Sequence, residues 1–408
     1  MKMQEIRKIR RNWGVKMKIW SINLSSGFRW ISMAVMFLLM ILFQHQPALA
    51  LSPLDSSSPI PTSAMKLVQF CADPKIGLDA QAVSTLVDYV LGHKLNKEAD
   101  LPKLQECPGA YYEFDTKTTF PRFLKFAYSP QIPATFTRPS SMRYSLWAAP
   151  QGKSQKMPSS WRLASPVGKP VIIHGLQHDS NTPDLTTGVY HEYDLKRTLI
   201  HLNHKGRRVL ISISKQVNES EVGKKGIILG NDDDWNYYYS GVPGSFKAGM
   251  GWVKSYIYDY FSVAVYVETG ASPTFVRTGT FQWIRAGWSG INFVQTSHII
   301  NGMKRFSRNF KTILESPKLP TPNKIIATYK WLSALPNHDL IEKYAALQQA
   351  QQSLAVRTGK IGTPEIKKQG SYGHIPKEQI IEELMLEYLK TTLGKPSLVE
   401  KIVVLGIK

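Results

Sequence analysis

The chain predicts an α+β protein built on a central antiparallel β-sheet, with a small helical N-terminal cap and C-terminal helices, and three observations carry that reading. Residues 253–268 (VKSYIYDYFSVAVYVE) alternate strictly, with Val253, Ile257, Phe261, Val263, Val265 and Val267 on one side and Tyr256, Tyr258, Tyr260, Ser262, Ala264 and Tyr266 on the other. A period of two with β-branched and aromatic residues is the signature of a pleated strand. Helical stripes occur only near the two ends of the chain. Nothing alternates strand with helix, which argues against a doubly wound parallel fold.

Residues 1–50 read as an export signal. Lys2, Arg7, Lys8, Arg10, Arg11, Lys16, Lys18 and Arg29 form a basic flank, and Ile31–Phe43 is an apolar run. Ala48-Leu49-Ala50 then supplies the small residues of a cleavage site. The run is short for a membrane span, which needs about 20 residues; retention as an N-terminal anchor is the alternative. A soluble, exported chain in the periplasm or outside the cell is expected. Residues 51–63, rich in Ser and Pro, read as a linker.

A helical cap is expected over 64–119, from helices near 64–71 and 79–91, with 94–112 irregular. Cys71 and Cys107, the only cysteines, are expected to pair in an oxidising compartment. Such a bridge would contribute roughly 3–4 kcal/mol through loop-closure entropy.

An antiparallel β domain is expected over 120–292. It is a meander of about six to eight strands, with sandwich-like and barrel-like closure both open. Its proline-dense start (121–170) excludes long helices and central strands, so loops and edge strands such as Met142–Ala148 are expected there. Asn203-His204-Lys205-Gly206 marks a hairpin turn. The strand after it places Val209, Ile211, Ile213 and Val217 on a core face, and Arg208, Ser212, Ser214 and Gln216 on a face expected to be wet. A mainly helical region packed on this domain occupies 293–408, with helices near 293–314, 321–335, 337–356 and 376–393 and a strand at 398–407. The Thr321-Pro322 start and the Gly394 stop follow capping rules.

The formal charge is +21, of which residues 1–50 carry one third. A basic surface favours anionic partners: phospholipid headgroups, cell-wall polymers or polyanionic glycans. The Lys and Arg residues are dispersed rather than striped, which argues against nucleic acid.

Five of the ten histidines fall between residues 174 and 204. His174, His178 and His191 are the candidate metal ligands, with Asp179, Glu192 and Asp194 nearby and Zn²⁺ as the fitting ion. Against this, the His-Glu-x-x-His helix pattern is absent, and ordinary surface or sheet-edge histidines account better for the cluster, with acid–base use without metal as a further alternative. Otherwise no cofactor is expected. Asp232-Asp233-Asp234 suits a solvated turn better than a cation site. Asp259, on the apolar side of its strand, needs a buried partner or a β-bulge. Ser63-x-x-Lys66 and Ser212-x-x-Lys215 lack the companion motifs of a nucleophile site, and no nucleophile elbow or phosphate loop is present.

Sixteen aromatic residues lie between Trp235 and Phe293, with Gly241, Gly244, Gly249 and Gly251 among them. Flat rings beside flexible glycines suit sugar rings or a protein partner, although Trp283 and Trp288 read as core anchors. The function expected is therefore an exported, non-enzymatic envelope module that binds a glycan, cell-wall polymer or envelope protein through its aromatic central region. The alternative is a metal-assisted envelope hydrolase using the 174–194 cluster. A structural or assembly role for the C-terminal helices is a third reading.

Overall fold

The computed structural model describes residues 58–92, 97–148, 168–247, 251–270, 274–362, 372 and 374–399. The export signal, and nearly all of the strand expected at 398–407, lie outside the described residues. Helix α1 (Pro59–Ala72) begins inside the stretch read as a linker, because Ser58 caps it and Pro59 supplies a preset φ at its first position. Helix α2 (Ala80–Leu91) follows, with the Asp79 carboxylate accepting from the Ala82 N–H. The segment expected to be irregular forms a hairpin instead, β1 (Glu98–Leu104) and β2 (Cys107–Thr116). Its turn residues Gln105 and Glu106 both take positive φ, a conformation ordinarily signalled by Gly or Asn, so the sequence offers no cue there.

Helix α3 (Phe120–Tyr128) survives in the proline-dense region because Pro121 sits in its first turn. The strands β3 (Met142–Ala148), β4 (Val171–Asn181), β5 (Val189–Tyr190) and β6 (Glu192–His204) follow. The β6–β7 turn occurs where expected, with Lys205 and Gly206 both at positive φ. Then come β7 (Arg207–Gln216), β8 (Lys224–Ile228), β9 (Tyr237–Pro243), β10 (Ser245–Lys247) and β11 (Gly251–Val253). The long pair β12 (Tyr256–Glu268) and β13 (Val276–Trp288) and the short β14 (Ile291–Asn292) complete the strands. Helices α4 (Thr296–Leu314), α5 (Pro322–Ala334), α6 (Asn337–Arg357) and α7 (Lys377–Leu393) finish the described chain. Gly394, at φ +76°, ends α7 as the sequence predicts.

The main sheet runs β1-β2-β13-β12-β7-β6-β4-β3, antiparallel throughout, with β14 paired to the end of β13. Strands β5, β8 and β9 form a second small sheet. This is the expected α+β architecture: helical cap, antiparallel sheet, C-terminal helices. Among the described residues no helix is long and apolar enough to cross a membrane.

Both faces of the sheet are covered. One packs Ile200, Ile211, Ile213, Val263, Val265 and Phe281 against α1 and α2. The other, carrying Leu199, Leu210, Ala264, Tyr266 and Val276, meets α3, α4 and the later helices. The face expected to be wet is therefore internal: Ser212, Ser214 and Gln216 are all buried. A sequence pattern distinguishes polar from apolar faces, but it does not report what lies over the polar one.

The disulfide is corrected. Cys71 and Cys107 are free, buried thiols. Cys71 points from α1 into the sheet, its Sγ 3.4 Å from the Lys196 carbonyl, while Cys107 turns back toward the Gln105 carbonyl of its own hairpin. Burial raises both thiol pKa values, that of Cys107 to about 12. Both are packed as small apolar side chains.

Candidate functional site

Because side chains alternate along strands, every second residue of β6, β7, β12 and β13 projects toward α4. The pairing register sets them in rows: Arg197 beside Ser214, Ser214 beside Ser262, Ser262 beside Gln282. The next row runs Leu199, Ser212, Ala264, Thr280. Small residues on the strands leave room, and Met303, Arg305 and Phe306 of α4 close the space without filling it. The result is a cavity of about 320 Å³ with a polar sheet wall. That lies at the lower end of the ~300–1,000 Å³ usual for small-molecule sites. Tyr260 and Tyr266 are the contribution of the aromatic stretch to its wall.

A smaller chamber of about 70 Å³ adjoins it, walled by Trp147, Gln177, Tyr329 and Glu382. Arg138 and Arg197 line both spaces and so stand between them. Gly175 is needed here, since a Cβ at that position would come within 1.9 Å of the Trp147 ring, which lies across it.

Arg138 is delivered by a turn rather than by a strand. The 3₁₀ segment Ala134–Phe136 is anchored by the fully buried Phe136. The Arg138 carbonyl then accepts from both Ser141 N–H and Met142 N–H at 2.9 Å, which fixes the approach to β3. Asn309 of α4 donates to Ser140 Oγ at 3.0 Å, tying the turn to the helix that roofs the cavity. Arg197 sits mid-strand on β6, with its Nη1 donating to Ser214 Oγ. Among the described residues no carboxylate lies within ion-pair distance of either guanidinium; Asp179 acts on both only at longer range.

Asp179 and Glu382 flank Ser145. Ser145 Oγ donates to Asp179 Oδ1 at 2.6 Å and its N–H donates to Glu382 Oε2 at 3.1 Å. Burial raises the pKa of Asp179, with Ser145, Arg197 and Arg138 pulling it back only in part. Glu382 is raised well above the usual carboxylate range by burial, and by its neighbours Asp179 and Glu383. Among the described residues, Ser212 Oγ and Gln177 Oε1 have no hydrogen-bond partner; Ser212 lines the larger space and Gln177 the smaller. Both residues are buried.

The histidines proposed as ligands lie elsewhere and are not brought together. His174 and His178 project from the opposite face of β4 to Gln177 and Asp179. His174 Nδ1 meets Thr198 Oγ1 at 2.8 Å, and its ring meets Phe70 edge-on. His178 Nδ1 pairs with Asp194 at 2.8 Å. His191 is held between strands, its Nε2 3.4 Å from Ser255 Oγ, and burial lowers its pKa to about 4. Among the described residues no group of three or more His, Cys, Asp or Glu side chains is placed to hold a metal ion.

The remaining sequence candidates have structural partners. Asp232 receives Arg305 in a forked ion pair and Asp233 receives Arg308, so the acidic triplet anchors α4. Asp259 follows a register shift after Ile257 and pairs with Lys215, so both the bulge and the partner expected of it are present. Trp283 is buried against Phe261, with its Nε1 donating to the Pro102 carbonyl, and Trp288 stacks on Phe293. Trp235 is also interior, donating to Asn309 Oδ1 at 2.6 Å. Of the aromatic stretch, Trp252 is a large side chain that stays about half exposed. Arg138 and Arg197 were not singled out from the sequence. The available cue was weak: Arg197 follows Lys196 in a strand whose apolar residues are Leu195, Leu199, Ile200 and Leu202.

No protein-family model, curated protein or solved structure matches this chain. The cavity is therefore interpreted from its own chemistry.

Proposed function

We propose that this chain is a non-enzymatic binding module that takes a small polar molecule into the cavity between the sheet and α4. One observation carries the reading: a space of about 320 Å³ whose sheet wall is hydroxyl- and amide-bearing while its helix wall presents Met303 and Phe306. Concave, partly open spaces of this size that combine polar groups with apolar walls are the usual form of a small-molecule site. The reading keeps the expected binding role and moves it from an aromatic surface to an internal site. The metal-assisted hydrolase needs several ligands on one ion, and His174, His178 and His191 each face a different neighbour.

Ala264 stands at the centre of the sheet wall, so Ala264→Leu fills the space with apolar volume and removes no hydrogen bond. Thermal shift of the full chain against a panel of small polar molecules is expected to give stabilising hits with the wild type. Saturating ligand at ~100 times Kd adds about 2.7 kcal/mol. These hits should vanish in Ala264→Leu while its own Tm is unchanged or higher. Hits that persist in the filled variant, or a panel with none, would overturn the proposal.

A further inference from the structure

We infer that Arg138 and Arg197 form a clamp for an oxyanion, the carboxylate or phosphate group of a small hydroxylated molecule whose body occupies the larger cavity. The inference rests on the binding reading above and names the ligand class.

The first argument is charge. A guanidinium stays protonated in any folded environment. Two of them lining one internal space, with no carboxylate at ion-pair distance among the described residues, leave positive charge that the fold does not neutralise locally. Elsewhere the molecule pairs its interior arginines: Arg143 with Glu383 at 3.0 Å, Arg305 with Asp232, Arg277 with Asp115. Unpaired buried charge costs several kcal/mol, so its retention at one place marks a site where another group is received. The neighbouring acids hold other partners: Asp179 accepts from Ser145 Oγ, Glu382 from the Ser145 N–H, and Asp184, on the wall of the larger space, from Thr186 and Thr187.

The second argument is geometry. Arg138 retains accessible surface although protein surrounds it, which is what a side chain facing an internal cavity does. Arg197 is oriented by its bond to Ser214 Oγ, and no other side-chain bond holds its fork among the described residues. Both residues line the same two spaces, and the planar fork of a guanidinium is suited to the paired oxygens of a carboxylate or phosphate.

The third argument identifies the rest of the ligand. Ser212, 2 % exposed, lines the larger space, and among the described residues its buried Oγ has no partner. Gln282 and Thr280 share that wall. Unpartnered buried polar atoms are rare in native proteins. Hydroxyl groups on the ligand would pair with them, while Met303 and Phe306 cover its apolar edge. A simple inorganic anion would leave that wall unused.

The test is calorimetric titration of the full chain with five probes: inorganic phosphate, acetate, glucuronate, glucose 6-phosphate and neutral glucose. At least one of glucuronate and glucose 6-phosphate is expected to bind at least ~10-fold more tightly than glucose and than its matching simple anion. Which of the two wins distinguishes a carboxylate ligand from a phosphate ligand. Arg138→Gln and Arg197→Gln should each weaken that binding by ~30-fold or more. Arg138→Lys, which keeps charge but loses the fork, should recover only part of it. Circular dichroism and the thermal midpoint confirm that each variant is folded; if one is not, the Lys variant and the probe ranking decide.

Glucose binding as tightly as its charged relatives would overturn the clamp and leave the binding reading standing. So would binding unchanged in the folded Gln variants. Simple anions binding as well as the sugar acids would overturn the hydroxylated class. If no probe binds, the clamp for this ligand class is overturned. The binding reading is judged separately, by whether Ala264→Leu abolishes the hits from the wider panel.

Discussion

The two faces of the main sheet are made by the same strands, yet they are chemically opposite. Toward α1 and α2, β7 and β12 present Val209, Ile211, Ile213, Phe261, Val263 and Val265, all fully buried. One residue along each strand, toward α4, the same backbone presents Ser212, Ser214, Ser262 and Ala264, with Arg197 beside them. The second face borders a space of about 320 Å³. Burial of apolar area is what makes folding favourable; the dry face supplies it without interruption, and the second face supplies it through Leu199, Leu210, Tyr266 and Val276. The hydroxyls and arginines set among those residues offset part of the gain, and so must be explained by something other than folding.

The comparison is broken most directly on the dry face. Phe261 is fully buried and its ring stacks on Trp283 with centroids 5.4 Å apart. Phe261→Ala should cost about 3–5 kcal/mol, the range for large-to-Ala changes in packed cores. Chemical denaturation reads this out. A loss below about 1 kcal/mol would mean that the face toward α1 and α2 does not hold the fold together.

How much of this was legible follows from the same strands. The alternation over 253–268 separated an aliphatic side from a Tyr/Ser/Ala side, and that division is the real division of the sheet. The helix ends at Pro322 and Gly394 were legible because proline and glycine act locally. What the sequence does not carry is partnership across distance. The polar side of β7 read as wet because its cover, α4, arrives some eighty residues later in the chain. Cys71 and Cys107 read as a pair because composition says nothing about which way two thiols point. Arg138 was invisible as a site residue because a proline-dense turn delivers it, while Arg197 comes from β6, and only the fold makes them neighbours. The histidine cluster misled for the converse reason: closeness in sequence along β4 and β6 gave no convergence in space.

A smaller effect distinguishes the faces by their response to pH. The dry face carries aliphatic and aromatic side chains, whereas the chamber beside the polar face holds Glu382, raised well above its usual value of 4.5 chiefly by burial, with Asp179, Glu383 and Glu378 adding to the shift. As pH rises past the unfolded value, the unfolded chain releases this proton first, so the folded state loses stability until its own raised pKa is passed. The contribution is favourable below about pH 4.5 and is lost on the alkaline side. Glu382→Gln keeps an acceptor for the Ser145 N–H and cannot ionise. Denaturation midpoints measured from pH 4 to 9 should fall less steeply for the variant than for the wild type, and the variant should be the more stable at neutral pH. Parallel curves would show that burial does not perturb Glu382.

The smallest expected effect is the sharpest. Ser212 and Ser214 are two residues apart on β7, face the same way and are equally buried. Ser214 Oγ accepts from Arg197, whereas Ser212 Oγ has no partner. Removing a hydroxyl bonded to a charged group costs about 1.5–3 kcal/mol, while removing an unsatisfied one is neutral or stabilising by up to about 1 kcal/mol. Ser214→Ala should therefore destabilise the ligand-free protein and Ser212→Ala should not, although composition and burial give no reason to separate them. If Ser212 serves a ligand, its loss should appear in the binding titration alone, as a weaker fit of the hydroxylated probe on a protein of undiminished stability. Equal destabilisation by the two changes would mean that Ser212 already has an internal partner and that the polar face is structural after all.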